Sequence, residues 1–591
     1  MSGYTAPLRD LQFVMKELLP ALPFKAAGED EADWETVGQV LTAAGQFAEE
    51  VIAPLNRVGD VSGCTMPMPG VVKTPPGYRE AYAQFRENGW AGLACSPGYG
   101  GLGMSGVVEV AVEEILGGAN MAWTSYPAMS HATYVNVEAN ASPELKAIYL
   151  PKLATGEWAG TMCLTEPNAG TDLGLLRTRA EPQADGSCVI TGTKIFISGG
   201  EQDLTENIVH LVLARLPNAP SGVKGISLFV VPKFLPNADG SVGQRNPVTC
   251  GSIEEKMGIH GNSTCTINFD GARGWLVGEP NKGLAGMFVQ MNYMRVLVGV
   301  VGTGVAEAAY QKALNYARER LQGRTPVRQA DGAAEAIVRH ADVRRMLATQ
   351  KARIEGMRAL ALWAARLADV QREQPGDVTG RVAGEHLSLL TPVIKALGSD
   401  LAMDSTLLAM QVFGGHGYIR ENGVEQHARD VRIIALYEGT NGVQAMDLLG
   451  RKVVGDGGAR MSSLLGLVCQ FVEENTASKE LQEFVGPLAD LFQRATKATA
   501  LLVDMCRDDP DVAGANATAY LRLVGHVLLA WVWAHAAKAS VVQAAAGDAF
   551  YASKVATARF YYQRLLPEHL ALCSELSSGS AAAMDPALGL D

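Results

Sequence analysis

The sequence predicts a mostly helical protein with a compact β domain in its middle. The spacing of apolar residues changes from helical to strand-like and back along the chain, and 591 residues are too many for one hydrophobic core. A glycine-rich break near residue 455 also leaves a further helical stretch at the C-terminal end. The expected order is a helical N-terminal domain, a β-barrel-like middle domain, a helical bundle and an extra helical domain.

Each element has its own signal. From about Trp34 to Gly160 apolar residues recur at three- and four-residue spacing, as in Val37, Val40, Leu41 and Ala44, with one glycine-rich loop interrupting them. From about Thr161 to Asn281 the runs become short and β-branched, as in Cys188-Val-Ile-Thr, His210-Leu-Val-Leu, Ile226-Ser-Leu-Phe-Val-Val and Cys265-Thr-Ile-Asn-Phe. Gly, Pro, Asn and Asp separate these runs, which is how strands and turns read. Helical spacing returns after Gly283, with breaks near Thr325 to Ala334, Gln374 to Thr379 and Gly455 to Gly458. The boundaries are set at 1–45 for an N-terminal extension, 46–160, 161–280, 281–455 and 456–591.

Composition excludes several classes. Hydrophobic residues make up 48% and charged residues 19%, the balance of a folded protein. A net charge of −12 repels phosphate backbones, so nucleic acid is not the expected partner. Nine scattered cysteines without a Cys-x-x-Cys pair read as reduced thiols of a cytoplasmic protein, with no metal site. The start, Met1-Ser-Gly-Tyr, lacks a charged leader followed by an apolar core. The most apolar stretch, Leu523 to Ala537, is short for a bilayer and contains His526 and His535, so it reads as a buried helix rather than a membrane insertion.

Five segments carry chemistry. Leu164-Thr-Glu-Pro-Asn-Ala-Gly-Thr-Asp at the entry to the β domain combines glycine with small hydroxyls, which let backbone amides approach a bulky polar ligand. In Lys194-Ile-Phe-Ile-Ser-Gly-Gly, alternate side chains share a face, so Phe196 and Ser198 can offer one ligand a flat apolar surface and a hydrogen bond. Leu436-Tyr-Glu-Gly-Thr-Asn-Gly-Val-Gln places a carboxylate in an apolar run, which invites partial burial and a raised pKa. Gln411-Val-Phe-Gly-Gly-His-Gly-Tyr leaves backbone amides bare, and Glu319-Arg-Leu-Gln-Gly-Arg sets two cations at a helix end, suited to a pyrophosphate.

With Gly89-Trp-Ala-Gly-Leu and Tyr99-Gly-Gly added, these segments occur in the order found in the acyl-CoA dehydrogenase family, which the sequence resembles from about Trp34 to Lys452. Glu255-Lys-Met-Gly-Ile-His-Gly, Met291-Asn-Tyr-Met-Arg and the extra C-terminal helices are similar to the larger bacterial branch, which includes fatty-acyl-CoA and methylthiopropionyl-CoA dehydrogenases. The resemblance implies FAD as cofactor and α,β-desaturation of a fatty acyl-CoA, the first step of β-oxidation. It implies electron-transferring flavoprotein as acceptor and a homodimer or homotetramer as the assembly.

By the same resemblance Glu438 is the base. Thr165 and Ser198 hydrogen-bond the isoalloxazine, Thr171 belongs to the same segment, and Phe196 packs on the ring where many relatives carry Trp. Thr440 lies at the flavin edge or its pyrophosphate. Arg320, Gln322, Gln411 and Gly415 hold the ADP half, reaching it from a neighbouring subunit. Arg295, Tyr437 and Gly439 fall on the acyl-CoA side. Thr171 replaces a usual Ser, and Gly442 replaces a Gln that contacts the cofactor in many relatives. Two other classes stay open: an oxidase or flavin monooxygenase of the same fold, in which oxygen takes the electrons, and a non-enzymatic flavoprotein that binds DNA through the extra C-terminal helices.

Overall fold

A computed structural model describes residues 3–26, 33–237, 239–326 and 333–590. The N-terminal Met1-Ser pair and the middle of the break at Thr325 to Ala334 lie outside the described residues. Helices α1 (Leu8–Phe13), α2 (Trp34–Phe47), α3 (Ala53–Ser62), α4 (Tyr78–Glu87), α5 (Gly106–Asn140) and α6 (Pro143–Ala154) precede the main sheet, with a small hairpin of β1 (Thr65–Met68) and β2 (Val71–Lys73) among them. The strands that follow are β3 (Trp158–Cys163), β4 (Arg179–Pro182), β5 (Cys188–Ser198), β6 (Asn207–Arg215), β7 (Ile226–Pro232), β8 (Phe234–Pro236), β9 (Val242–Arg245), β10 (Val248–Ile253) and β11 (Thr264–Val277). The remainder is helical: α7 (Gly283–Glu319), α8 (Ala341–Glu373), α9 (Val378–Phe413), α10 (Glu425–Val431), α11 (Asn441–Met446), α12 (Ala459–Asn475), α13 (Gln482–Asp508), α14 (Asp511–Ala545), α15 (Ala549–Phe560) and α16 (Glu568–Leu576).

Two compact units result, one of residues 46–105 and 119–297, the other of residues 1–45, 106–118 and 298–591. The first contains the sheet. Its strands pair in the order β10-β11-β5-β4-β6-β3, and β7 bonds both β6 and β11. The pairings β11–β5, β5–β4, β4–β6, β6–β7 and β7–β11 therefore close a ring, the barrel-like form expected from the alternating runs. β11 serves two partners by bending. Its register slips beside Gly271 (φ +83°), and at Gly274 a Cβ would stand 2.7 Å from Val231 and 3.0 Å from the Val230 carbonyl. The hairpin β1–β2 was not foreseen: Thr65-Met-Pro-Met-Pro-Gly-Val-Val-Lys has two prolines and little alternation, so it reads as loop.

Among its described residues the second unit is helical apart from one bridge, Leu321 to Ala336. α8 and α9 end and begin at the foreseen break, with Asp377 capping α9 by accepting from Thr379 N–H. α14 is buried along most of its length, including Trp531 and Trp533. It and α7 are long and apolar enough to cross a membrane, but most of each apolar stretch is buried inside the protein, as in a core helix. α14 packs closely on α8 and α9: Trp533 Nε1 donates to the Ala352 carbonyl at 3.1 Å, and a Cβ on Gly525 would stand 2.5 Å from Leu397. Deleting residues 456–591 strips this cover from Trp363, Leu397 and their neighbours. At about 1.5–3 kcal/mol per large apolar side chain re-exposed, the expected product is aggregate or an altered oligomer by size-exclusion chromatography. A monodisperse, flavin-loaded truncation would contradict this.

Charged groups anchor the N-terminal segment within that unit. Arg358, 1% exposed, donates to Asp10, to Glu114 at 2.6 Å and to Glu307 at 2.9 Å. Lys554 of α15 bonds Asp10 as well and reaches Glu355 at 2.8 Å, and Glu355 also takes Lys351. Further along, Arg366 donates to the carbonyls of Leu22 at 3.0 Å and Pro23 at 2.8 Å, and Trp363 donates to Pro23 at 3.2 Å. The described residues 3–26 are thus tied into the helical core.

Candidate functional site

In the unit that holds the barrel, the segment after β3 is fastened to β5. The Thr165 carbonyl accepts from Ile195 N–H at 2.9 Å. Beside it, buried Lys194 donates to the Leu164 carbonyl and to Glu166 Oε1, each at 2.9 Å. Glu166 also accepts from Arg177 N–H at 2.7 Å and from both the N–H and hydroxyl of Thr178. Burial raises the Glu166 pKa, yet the Lys194 charge and these donors outweigh it and hold the carboxyl below its usual range. Burial pulls Lys194 down in turn. Removing either partner would strand a charge in the core, so the pair fixes Thr165 rigidly beside β5, with its side chain half-buried.

β5 is less regular than its sequence suggests. Cys188, Ile190 and Lys194 point inward, but the next inward residue is Ile197, an odd step. Two residues of β5 face one of β11 here, and Phe196 takes φ +60°. Simple alternation therefore fails, although Phe196 and Ser198 still flank the buried Ile197 on the outer side. Phe196 is 59% exposed. A bulky residue in the left-handed region costs energy, and so does leaving an aromatic face in water; a flat ligand on Phe196 would recover about 2 kcal/mol of the latter. Thr171 lies exposed in the loop between β3 and β4, and Arg295, on α7, is buried with its guanidinium 5.6 Å from the Phe288 ring and a bond to Asn292.

In the helical unit Glu438 occupies a strained turn. Glu438 (φ +56°) and Gly439 (φ +81°) are consecutive left-handed residues between a 3-10 turn, Arg432–Ala435, and α11. Thr440 caps α11, its hydroxyl accepting from Val443 N–H. One buried amide, Gln444 Nε2, donates to the carbonyls of both Glu438 (3.0 Å) and Gly439 (3.2 Å), so the left-handed pair is held from behind. Asn441 is fixed in turn by Lys395, Ser399, Asp400 and the Ala396 carbonyl. Gln444 and Asn441 escaped the sequence reading, although both lie in the Thr-Asn-Gly-Val-Gln run that it singled out. Tyr437 is raised above the usual phenol range by burial and then by the Glu438 charge. At Gly442 a Cβ would meet only the Thr440 hydroxyl, 3.9 Å away, so sterics do not require glycine there.

The residues expected to grip the ADP half lie in the same unit. Arg320 N–H donates to Tyr316, whose ring stacks on Phe413 at 4.2 Å and whose hydroxyl pairs with His416 at 2.8 Å. Gln411 and Gly415 flank that contact, and a bridge between Leu321 and Ala336 extends the chain through exposed Gln322. Arg320 forms no ion pair among the described residues. The side chains of Thr165, Ser198, Gln322 and Gln411 likewise find no hydrogen-bond partner among them, whereas Thr133, Thr303 and Thr406 bond back to their own helices. In the barrel unit, the unspent hydroxyls of Thr165 and Ser198 with the uncovered Phe196 ring suit a flat, polar ring system; in the helical unit, the unspent Arg320, Gln322 and Gln411 side chains suit a polar, charged group.

Comparison with known proteins agrees. Family models for the N-terminal, middle and C-terminal domains of acyl-CoA dehydrogenases match residues 35–157, 161–272 and 281–453, and an acetyl-CoA dehydrogenase C-terminal-like model matches 464–586. The chain is 41% identical to a 3-methylmercaptopropionyl-CoA dehydrogenase of Ruegeria pomeroyi, over 96% of both chains. It is 34% identical to the broad-specificity linear acyl-CoA dehydrogenase FadE5 of Mycobacterium tuberculosis, also over 96% of both. In fold it is similar to Caenorhabditis elegans ACDH-11 in complex with C11-CoA (TM-score 0.78, 18% identity, 99% of this chain and 96% of that one). It is also similar to a Bacillus anthracis acyl-CoA dehydrogenase complexed with FAD (TM-score 0.76, 19% identity, 97% and 92%). The protein is an FAD-dependent oxidoreductase acting on CH–CH bonds. It belongs to the acyl-CoA dehydrogenase family.

Proposed function

We propose that this enzyme desaturates a fatty acyl-CoA between Cα and Cβ, with Glu438 as the base, and passes the electrons to electron-transferring flavoprotein in cytoplasmic β-oxidation. The strained Glu438–Gly439 turn carries the reading, because a glutamate whose backbone Gln444 holds in a costly conformation is positioned for something other than stability. The α hydrogen of a thioester is weakly acidic, so its removal needs stabilisation of the negative charge that develops on the carbonyl oxygen. The Glu438 N–H serves as one donor to that oxygen, while its carboxylate takes the α proton. When bound, FAD supplies the two-electron acceptor for the hydrogen that leaves Cβ. Thr165, Ser198 and Phe196 hold the isoalloxazine, Thr440 its edge, and Arg320, Gln322, Gln411 and Gly415 the ADP half. Thr171, Arg295, Tyr437 and Gly439 line the same cofactor and substrate.

The 41% identical relative favours a second substrate reading, a short acyl group carrying a thioether. Steady-state rates with an artificial dye across butyryl-, longer straight-chain and 3-methylthiopropionyl-CoA separate the two: a rise with chain length supports the fatty substrate, a maximum at the thioether overturns it. Oxygen uptake exceeding electron transfer to the flavoprotein would instead mark an oxidase. Arg320 also gives a test of assembly. If it reaches a neighbour's cofactor, Arg320→Ala loosens FAD and weakens the oligomer together, and a fully flavinylated monomer contradicts this.

A further inference from the structure

Two thiols of the barrel have no place in the reaction above. Cys250 sits on β10, the edge strand, opposite Ile267 of β11, and Cys265 lies two residues from Ile267 on the same inward face. Both are buried in one apolar cluster. Diagonal neighbours on a regular ladder stand roughly 7 Å apart, at the limit of disulfide reach. Here the ladder is not regular: its register shifts between Cys250 and Ser252, so Gly251 is an extra residue that adds twist. Each thiol donates to a backbone carbonyl, Cys250 to Ser252 at 3.4 Å and Cys265 to Glu201 at 3.9 Å, and their mutual influence pulls Cys250 below and pushes Cys265 above the usual thiol range. On its other side Cys265 pairs with Ile197, the residue between Phe196 and Ser198.

We propose that Cys250 and Cys265 are a redox-sensitive pair that closes to a disulfide under a peroxide, and that closure slows turnover by shifting the strand that carries Phe196 and Ser198. The Cys250 thiolate attacks the peroxide O–O bond, giving a sulfenic acid and water. The Cys265 sulfur then displaces the sulfenic oxygen, forming S–S and a second water. Two thiols lose two electrons and two protons, and one hydrogen peroxide gives two waters. Access comes from opening of the edge strand, since edges unfold locally at less cost than a sheet centre. The effect on turnover rests on the flavin-site reading, whereas formation of the cross-link does not.

The test uses the full-length holoenzyme treated with hydrogen peroxide, then denatured, alkylated and digested for mass spectrometry. A Cys250–Cys265 peptide pair two hydrogens lighter than the free thiols is expected, reversible by dithiothreitol and absent in Cys250→Ser and in Cys250→Ala. Because a displacement near 1 Å at a reacting centre can cost on the order of 10²-fold, treated wild type should lose about 10-fold or more in turnover and recover it on reduction. Both variants should keep theirs. Full alkylation of both cysteines after peroxide overturns the pair, and a cross-link that leaves turnover unchanged overturns its coupling to β5.

Discussion

Glu438→Gln is expected to yield a yellow protein that binds acyl-CoA and does not desaturate it. Glutamine keeps the length and shape of the side chain and the backbone N–H, so the donor proposed for the thioester oxygen remains. It cannot take the α proton. Loss of a positioned base costs roughly 10² to 10⁴-fold, and more here because departure of hydrogen from Cβ depends on the α carbon being deprotonated. The turn itself should survive, since Gln444 grips the carbonyls of residues 438 and 439 and not the carboxylate. Mixed anaerobically with a preferred acyl-CoA, the variant should show a perturbed but unbleached flavin band. Reduction at close to the wild-type rate would remove Glu438 from the role. As a control, Gln444→Ala releases the turn and should lower turnover with the carboxylate still present.

The parts of this architecture that could be read in the sequence are those set by local patterning. The switch from helical to strand period, the break before Val378 and the glycine turn after Asp456 all depend on neighbouring residues, and the structure has them. The bulge at Phe196 could not be read, because it is set by which residue of β11 faces which residue of β5. Nor could the contact between the ends of α7 and α9, where Tyr316 stacks against Phe413 nearly a hundred residues on. Glu438 was legible as a carboxylate in an apolar run. Its left-handed backbone was not, since that conformation is imposed by Gln444 and the cap of α11.

The largest stability effect is expected from Arg358→Met, a change that no sequence pattern marks, because Asp10 lies 348 residues away. The guanidinium faces three carboxylates, Asp10, Glu114 and Glu307, whose side chains are 12%, 4% and 11% exposed. Methionine fills much of the volume but, among the described residues, leaves those charges with Lys554 and Lys351 as the cations nearby. Breaking a buried ion pair by removing one partner costs about 3–5 kcal/mol, a large share of the roughly 5–15 kcal/mol of a whole domain. Chemical denaturation should show that loss, and a midpoint within error of wild type would sink the argument. The same cluster fixes a pH dependence. Burial raises Glu114 to about 7 against the pull of Arg358, so its contribution is present below its ordinary value of 4.5 and is lost as pH rises through about 7. Asp10 behaves oppositely: burial is outweighed by Lys554 and Arg358, its pKa is lowered, and its contribution is lost as pH falls below the usual carboxylate range. With Glu114 protonated, Asp10, Glu307 and Glu355 balance Arg358, Lys554 and Lys351. Glu114→Gln, which mimics that protonated form, should therefore flatten the fall in melting temperature between pH 4.5 and about 7. If wild type and variant fall in parallel across that window, the proton resides elsewhere in the cluster.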